Sequence, residues 1–152
     1  MRISQLLSKR SIIANLNAQD KKGVIDELAL AISKTTKVPV KELATVLLER
    51  EQLGSTGIGG GIAIPHGKLD SVHSIIVGFG LSRKGVEYES LDNKPVHIFF
   101  LLLTPENSTG GHLKVLAQIS KLLKMDQFKK GLIAAQSVDD IYDIIMDQDE
   151  DF

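Results

Sequence analysis

The chain contains no cysteine. This absence excludes disulfide bonds, zinc–thiolate centres and cysteine nucleophiles. A surplus of positive charge is missing too, because 18 lysine and arginine residues face 19 acidic ones. Proteins that bind a nucleic-acid backbone or an anionic membrane surface usually carry such a surplus. We therefore expect no nucleic-acid partner and no membrane-surface partner.

Long apolar runs are also absent. The longest run, around Ile98–Leu103, is far shorter than the roughly 20 residues that a membrane-spanning helix needs. The N-terminus lacks the apolar segment of a secretory signal, because Arg2, Ser4, Gln5 and Ser8 interrupt it. The sequence predicts a cytoplasmic protein without membrane insertion.

The apolar content is sufficient for one folded core. The chain has 152 residues, of which 43% are hydrophobic, and both values suit one globular domain over residues 1–152. We expect an acidic, frayed tail at residues 147–152, where four of the last six residues are Asp or Glu.

Apolar periodicity and capping residues predict helices alternating with strands. Helices are predicted at residues 1–9, 21–36, 39–53, 112–124, 126–135 and 137–146, and strands at 11–16, 74–81, 86–89 and 95–104. Asp20 and Ser137 are the predicted N-caps of the 21–36 and 137–146 helices. This order indicates an α/β fold in layers around a mixed β-sheet.

The stretch Gly54–Lys68 is the densest concentration of glycine, with six glycines in 15 residues. It does not match the dinucleotide-binding, Walker or serine-hydrolase loop patterns. Successive backbone N–H groups of such a run can bind an anion, and we assign phosphate binding to Ser55, Thr56, Gly57 and Gly67. A flexible hairpin loop is the alternative.

Four histidines are present, and they lack the spacing of helical metal sites. We therefore expect no metal. His97 lies inside an apolar strand and is interpreted as structural, whereas His73 is interpreted as a solvated loop residue. His66 follows Pro65 at the end of the glycine run, where a neutral imidazole could attack phosphorus. A hydrogen-bonded loop histidine is the alternative.

Two further residues could assist His66. His112 is predicted at a helix N-terminus, a position that favours phosphate, although it could be an ordinary first-turn residue. Arg50 is predicted at the end of a helix next to the glycine run, where its guanidinium could hold phosphate oxygens. Because Glu49 and Glu51 flank it, a surface ion pair is the alternative.

Two segments resemble a known family. The chain resembles the mannitol/fructose-type enzyme IIA domains of the bacterial phosphotransferase system in Glu49–Glu51, Gly54–Gly59 and Gly61–Lys68, and again in His112–Leu123, Leu132–Ala135 and the final helix. The similarity is greatest to the nitrogen-regulatory branch, and the end of the chain soon after the IIA region fits that expectation. Gly60 departs from the pattern, because a polar residue such as asparagine is expected there.

The resemblance implies a three-layer α/β/α sandwich with a central mixed β-sheet. It implies that His66 accepts the phosphoryl group from a histidine phosphocarrier protein, with Arg50 and His112 beside it, and without a metal or another cofactor. A regulatory carrier acting on transporter or sensor proteins is the first hypothesis. A sugar-uptake IIA that passes phosphate to a IIB domain and a non-catalytic binding module are the alternatives.

Overall fold

The structure, a computed structural model, describes residues 1–152. It contains five α-helices, six β-strands and a short 3₁₀ helix at Ile3–Gln5. In chain order the elements are β1 (Leu7–Ile13), α1 (Lys21–Thr36), α2 (Val40–Gln52), β2 (Gly57–Gly59), β3 (Ile62–Ala63), β4 (His66–Lys68), β5 (Ile76–Val86), β6 (Val96–Thr104), α3 (Thr109–Leu123), α4 (Asp126–Ala134) and α5 (Val138–Asp147).

All six strands belong to one mixed sheet. The order across the sheet is β1-β5-β6-β3-β2, and β4 pairs with β6 beyond β3. The two long central strands, β5 and β6, run antiparallel, whereas β1 is parallel to β5. Both β3 and β4 run parallel to β6, and β2 turns back antiparallel to β3. The predicted mixed sheet is confirmed.

Helices cover both faces of this sheet, as the alternation along β6 demonstrates. Ile98, Phe100 and Leu102 pack into one apolar cluster with residues of α3, α4 and α5. Phe99 and Leu101 point the other way, into a second cluster with α1 and α2. Burial of each such side chain stabilises the fold by about 1.5–3 kcal/mol. The three-layer α/β/α arrangement is confirmed, and it explains why β6 is apolar on both faces.

The N-terminal segment differs from the prediction. The expected helix over residues 1–9 is reduced to the 3₁₀ turn, and β1 begins at Leu7 rather than near Ser11. The helical spacing of Ile3, Leu6 and Leu7 is a weak signal. Parallel pairing of Leu7 with Val77 of β5 places this segment in the sheet instead.

The helix caps follow the sequence signals closely. The Asp20 side chain accepts a hydrogen bond from the Gly23 N–H, and the Ser137 side chain accepts one from the Asp140 N–H. Helix α3 is longer than predicted, because it begins at Thr109 and not at His112. Strand β5 likewise extends to Val86 and absorbs the start of the separate strand predicted at residues 86–89.

The C-terminal segment is held against the body of the protein. The Phe152 N–H donates to the Met1 carbonyl at 2.8 Å, and the Ser4 N–H donates to Asp149 at 3.3 Å. Glu150 accepts from Lys121 at 2.7 Å. The tail that was expected to fray is thus hydrogen-bonded to segments distant in sequence.

None of the helices combines the length and the apolar character that crossing a membrane requires.

Candidate functional site

The site lies where α2 ends, α3 begins and β4 pairs with the C-terminal half of β6. His66 is opposite Leu102 in the parallel β4–β6 pair, and Lys68 is opposite Thr104. Ligand sites commonly form at the carboxyl ends of parallel strands. A cleft of about 510 Å³ opens here. Its lining comprises Val46, Glu49, Arg50, Gln52, Leu53, His66, Gly67, Lys68 and His112.

The hydrogen bonds of His66 define its tautomer. Its Nδ1 lies 2.8 Å from the Ile64 carbonyl oxygen, which can only accept, so Nδ1 carries the proton. Nε2 is then unprotonated, and the Arg50 Nε–H donates to it at 3.2 Å. His66 therefore directs the lone pair of Nε2 toward the guanidinium that lines the cleft.

The surroundings of His66 keep the ring neutral. Burial lowers its pKa below the ordinary value of 6.5, and the Arg50 charge lowers it further, while the Ile64 carbonyl opposes both effects. The ring is half-buried. A neutral imidazole retains its lone pair, which an attack on phosphorus requires.

Arg50 reaches the site from the last turn of α2. Its Nη1 donates to the Gly54 carbonyl at 2.8 Å, so two separate hydrogen bonds orient the guanidinium plane. Arg50 makes no ion pair, whereas the neighbouring Glu51 pairs with Lys21 at 3.1 Å. The alternative of a surface ion pair is therefore wrong, and the Arg50 charge stays available to an anion in the cleft.

Glu51 is a buried carboxylate that fastens the glycine run to the end of α2. It accepts from the Thr56 N–H at 3.0 Å and from the Thr56 hydroxyl. The Tyr88 hydroxyl lies 3.1 Å from the Thr56 hydroxyl, and burial together with the Glu51 charge raises the pKa of Tyr88. A buried charge is costly without partners, and these hydrogen bonds supply partners to the Glu51 carboxylate. They also hold the start of the glycine run against α2, where the Gly54 carbonyl accepts from Arg50.

The same network includes three loop residues that are predicted to bind phosphate. Thr56 is 4% exposed and its N–H is bonded to Glu51. The Gly57 N–H donates to the Ser55 hydroxyl at 3.1 Å, and that hydroxyl donates weakly to the Tyr88 carbonyl at 3.4 Å. These donors are engaged by other groups of the protein, and phosphate binding by Ser55, Thr56 and Gly57 stays a prediction.

Gly67 lies in the cleft, and its lack of a side chain allows α2 to approach β4. A Cβ at this position would be 2.6 Å from Cγ1 of Val46. Val46 is β-branched and cannot rotate its methyl groups away without strain. The glycine of the His-Gly-Lys motif therefore sets the distance between the helix that carries Arg50 and the strand that carries His66.

His112 is 6% exposed and lies in the first turn of α3. Its ring is edge-on to that of His66, with 5.3 Å between the ring centroids. Its Nδ1 lies 3.0 Å from Oγ1 of Thr104. Burial lowers its pKa below 6.5, and the neighbouring His66 and the Lys68 charge add to this effect. The structure thus brings His66, Arg50 and His112 together.

Lys68 and Thr104 have no assigned role in the sequence prediction. The Lys68 ammonium lines the cleft and donates to the Thr109 hydroxyl at 3.1 Å. Period-two alternation on a strand, which puts residues 66 and 68 on one face, could have identified it. Thr104 was detectable as the polar residue that ends the apolar run of β6.

Gly60, the departure from the family pattern, has φ +67° at the tip of the β2–β3 hairpin. Asparagine tolerates this left-handed region better than most residues, so glycine fits the same backbone. The Gly60 N–H donates to Asp92 at 3.1 Å and its carbonyl accepts from Lys129 at 3.0 Å. The hairpin tip is held by these two contacts.

The other two histidines lie apart from the cleft. The Nδ1 of His97 is 2.8 Å from the Ser82 carbonyl, whereas His73 is exposed. Neither lines the cleft around His66.

Comparison with known proteins assigns this arrangement to a family. Residues 5–148 match the family model described as phosphoenolpyruvate-dependent sugar phosphotransferase system, EIIA 2. The chain belongs to this EIIA family. Members of the family are phosphoryl-transfer components, so a phosphotransferase role follows in general terms.

The relatives include both regulatory and sugar-specific proteins. A nitrogen regulatory protein from Bradyrhizobium diazoefficiens is 37% identical over 145 residues, which is 95% of this chain and 95% of the relative. A fructose-specific EIIABC component from Bacillus subtilis is 41% identical over 151 residues. This EIIA chain aligns over 99% of its own length with that protein but spans only 24% of it.

Solved structures share the fold. The crystal structure of nitrogen regulatory protein IIA-Ntr from Neisseria meningitidis matches with a TM-score of 0.88 and 31% identity, over 94% of this chain and 98% of the other. IIA mannitol from Escherichia coli matches with a TM-score of 0.77 and 23% identity, over 91% and 97% of the two chains. The second likeness is one of fold alone.

Proposed function

We propose that this protein carries a phosphoryl group on Nε2 of His66, which it accepts from a histidine phosphocarrier protein. We propose further that the phosphorylation state controls its binding to regulatory partners. The observation that carries the proposal is the fixed tautomer of His66, whose Nδ1–H is bound to the Ile64 carbonyl while Nε2 lies 3.2 Å from the Arg50 Nε.

The contact between Arg50 and His66 suits a change of state on phosphorylation. The lone pair of Nε2 that now accepts from Arg50 becomes the new N–P bond, so that hydrogen bond must be released. The phosphoryl oxygens then occupy the region that the guanidinium faces, where Arg50 can donate to them. A guanidinium is well matched to phosphate oxygens in geometry and charge.

The transfer requires little chemistry from the protein itself. The N–P bond of the donor phosphohistidine breaks as the bond to His66 Nε2 forms, and the donor ring leaves with the electron pair. The Nδ1 of His66 keeps its proton and donates it in a hydrogen bond to the Ile64 carbonyl, while the attacking Nε2 carries no proton, so no general base is needed. Because phosphoryl transfer has a loose transition state, catalysis consists of positioning and of charge stabilisation by Arg50 and His112.

The direct test is phosphate loading in a purified system. The protein is incubated with enzyme I, the histidine phosphocarrier protein and phosphoenolpyruvate, and its intact mass is measured. We expect one acid-labile phosphate on the unmodified protein and none on His66→Gln. ¹⁵N NMR of the histidine rings should place the phosphate on Nε2.

His73→Gln is the matched control, because His73 is an exposed loop histidine outside the cleft. It should load to the same stoichiometry as the unmodified protein. Loading that persists in His66→Gln, or a phosphate on Nδ1, would contradict the proposal. An unmodified protein that gains no mass but still binds a partner would identify a non-catalytic binding module.

A sugar-uptake role is the second candidate, and the 41% identity to the fructose-specific EIIABC component favours it. The two roles differ in where the phosphate goes. Rapid loss of phosphate to a purified fructose- or mannitol-type IIB domain would indicate sugar uptake. Retention of phosphate in the presence of IIB, together with partner capture that differs between the loaded protein and His66→Gln, would indicate regulation.

A further inference from the structure

Thr104 and His112 form a buried polar pair behind the cleft. Thr104 ends β6 and is 0% exposed, and His112 is 6% exposed. The Thr104 Oγ1 and the His112 Nδ1 are 3.0 Å apart, and this is the single hydrogen bond that the Thr104 hydroxyl makes. The two residues are eight positions apart in the chain, at the end of a strand and the start of the next helix.

Hydrogen-bond accounting determines which atom donates. If Nδ1 of His112 carried the proton, the Thr104 oxygen would accept it and the hydroxyl proton would have no acceptor in a buried site. An unpaired buried donor is costly. If the hydroxyl donates to Nδ1 instead, both groups are satisfied and the His112 proton lies on Nε2.

The two rings of the cleft then have opposite tautomers. His66 has its proton on Nδ1 and offers the Nε2 lone pair, while His112 has its proton on Nε2 and offers a donor. The ring centroids are 5.3 Å apart, so an acceptor and a donor are set side by side. Transfer to His66 uses both groups. The Nε2 lone pair of His66 forms the N–P bond, and the Nε2–H of His112 can donate to a phosphoryl oxygen, which accepts hydrogen bonds but cannot donate when ionised.

We propose that Thr104 is a positioning residue that keeps Nδ1 of His112 unprotonated, so that the Nε2–H of His112 is available to a phosphoryl oxygen. The effect on transfer rests on the proposed function, whereas the tautomer of His112 does not. Thr104 touches neither the nucleophile nor the phosphoryl group in this scheme, and acts through the ring of His112 alone.

The tautomer is measured first, on the unmodified protein labelled with ¹⁵N-histidine, by NMR above neutral pH. We expect His112 to show a protonated Nε2 and an unprotonated, hydrogen-bonded Nδ1. In Thr104→Val the Nδ1 resonance should shift toward that of a free lone pair, and Thr104→Ser should restore it. A protonated Nδ1 on His112 of the unmodified protein would overturn the inference, whatever the outcome of phosphate loading.

The second measurement is the rate of loading from the phosphocarrier. Thr104→Val should slow it by about threefold to tenfold, the loss expected for one misplaced hydrogen bond, while the final stoichiometry remains unchanged. Thr104→Ser should recover most of the rate. Thr35→Val is the control, because the Thr35 hydroxyl donates to the Ile32 carbonyl and lies on the α1 side of the sheet. Equal rates for Thr104→Val and the control would refute the positioning role.

Discussion

Replacing Arg50 by glutamine removes the guanidinium that contacts His66 at 3.2 Å and leaves the rest of the cleft in place. Replacing it by lysine keeps the positive charge but puts every N–H donor on one nitrogen, so the anchor on the Gly54 carbonyl at 2.8 Å and the contact with His66 cannot both keep their geometry. The two variants therefore separate charge from orientation.

The expected magnitude follows from the electrostatics of the site. Opposite unit charges about 4 Å apart attract by about 4 kcal/mol at an effective dielectric constant of about 20. Arg50 is half-buried and makes no ion pair, so most of this attraction is available to a transferring phosphoryl group. We expect Arg50→Gln to slow loading by about 10²–10³, as loss of an oxyanion donor does, and Arg50→Lys by about tenfold.

The assay is time-resolved loading of His66 from the phosphorylated phosphocarrier under single-turnover conditions, with intact mass as the readout. Arg10→Gln is the matched control, because Arg10 is exposed on β1 and does not line the cleft. Rates for Arg50→Gln within threefold of the unmodified protein would refute the electrostatic reasoning. An Arg50→Lys variant as slow as Arg50→Gln would assign the effect to orientation instead of charge.

Three further outcomes are expected. Gly67→Ala should lower the free energy of unfolding by about 1–3 kcal/mol in urea titrations, because its Cβ would meet Val46 at 2.6 Å, and adding Val46→Ala should recover part of the loss. The pKa values of His66 and His112 are lowered in the folded state, so the unfolded chain takes up protons first. The free energy of unfolding should therefore fall as pH drops from about 6.5 through the lowered values, with a shallower slope in His66→Gln; an unchanged slope would contradict this. Leu53 is 85% exposed beside the cleft, where we expect it to contact the docked phosphocarrier. Leu53→Asp should therefore raise the KM for the phosphocarrier by about tenfold without changing the free energy of unfolding, and an unaltered KM would exclude this contact.

Local signals predicted the elements that owe their structure to their own residues. Asp20 and Ser137 cap helices where the capping patterns indicate, and the apolar run that ends at Thr104 forms the central strand β6. These signals depend on neighbours within a few positions, or on an apolar run that only a doubly covered strand accommodates. The resemblance of the His66 segment to the EIIA family then gave the family correctly.

Pairing with distant strands decided the elements that sequence reasoning missed. Strands β2, β3 and β4 are two or three residues long and lie within a glycine-rich run of low strand propensity. They exist because β6 and the hairpin partner offer hydrogen bonds to them. At the N-terminus, pairing of Leu7 with Val77 likewise overrides a weak helical pattern.

The sequence by itself singled out His66, Arg50 and His112 as candidates, because the segments that contain them resemble the EIIA family. Only the tertiary structure placed them in one cleft and fixed how each side chain is oriented. The Ile64 carbonyl selects the free nitrogen of His66, the Gly54 carbonyl aims the guanidinium, and Thr104 faces His112 from the end of β6. These partners are backbone atoms and a strand residue whose positions depend on how α2, β4, β6 and α3 meet. No local sequence pattern therefore reveals where these partners point.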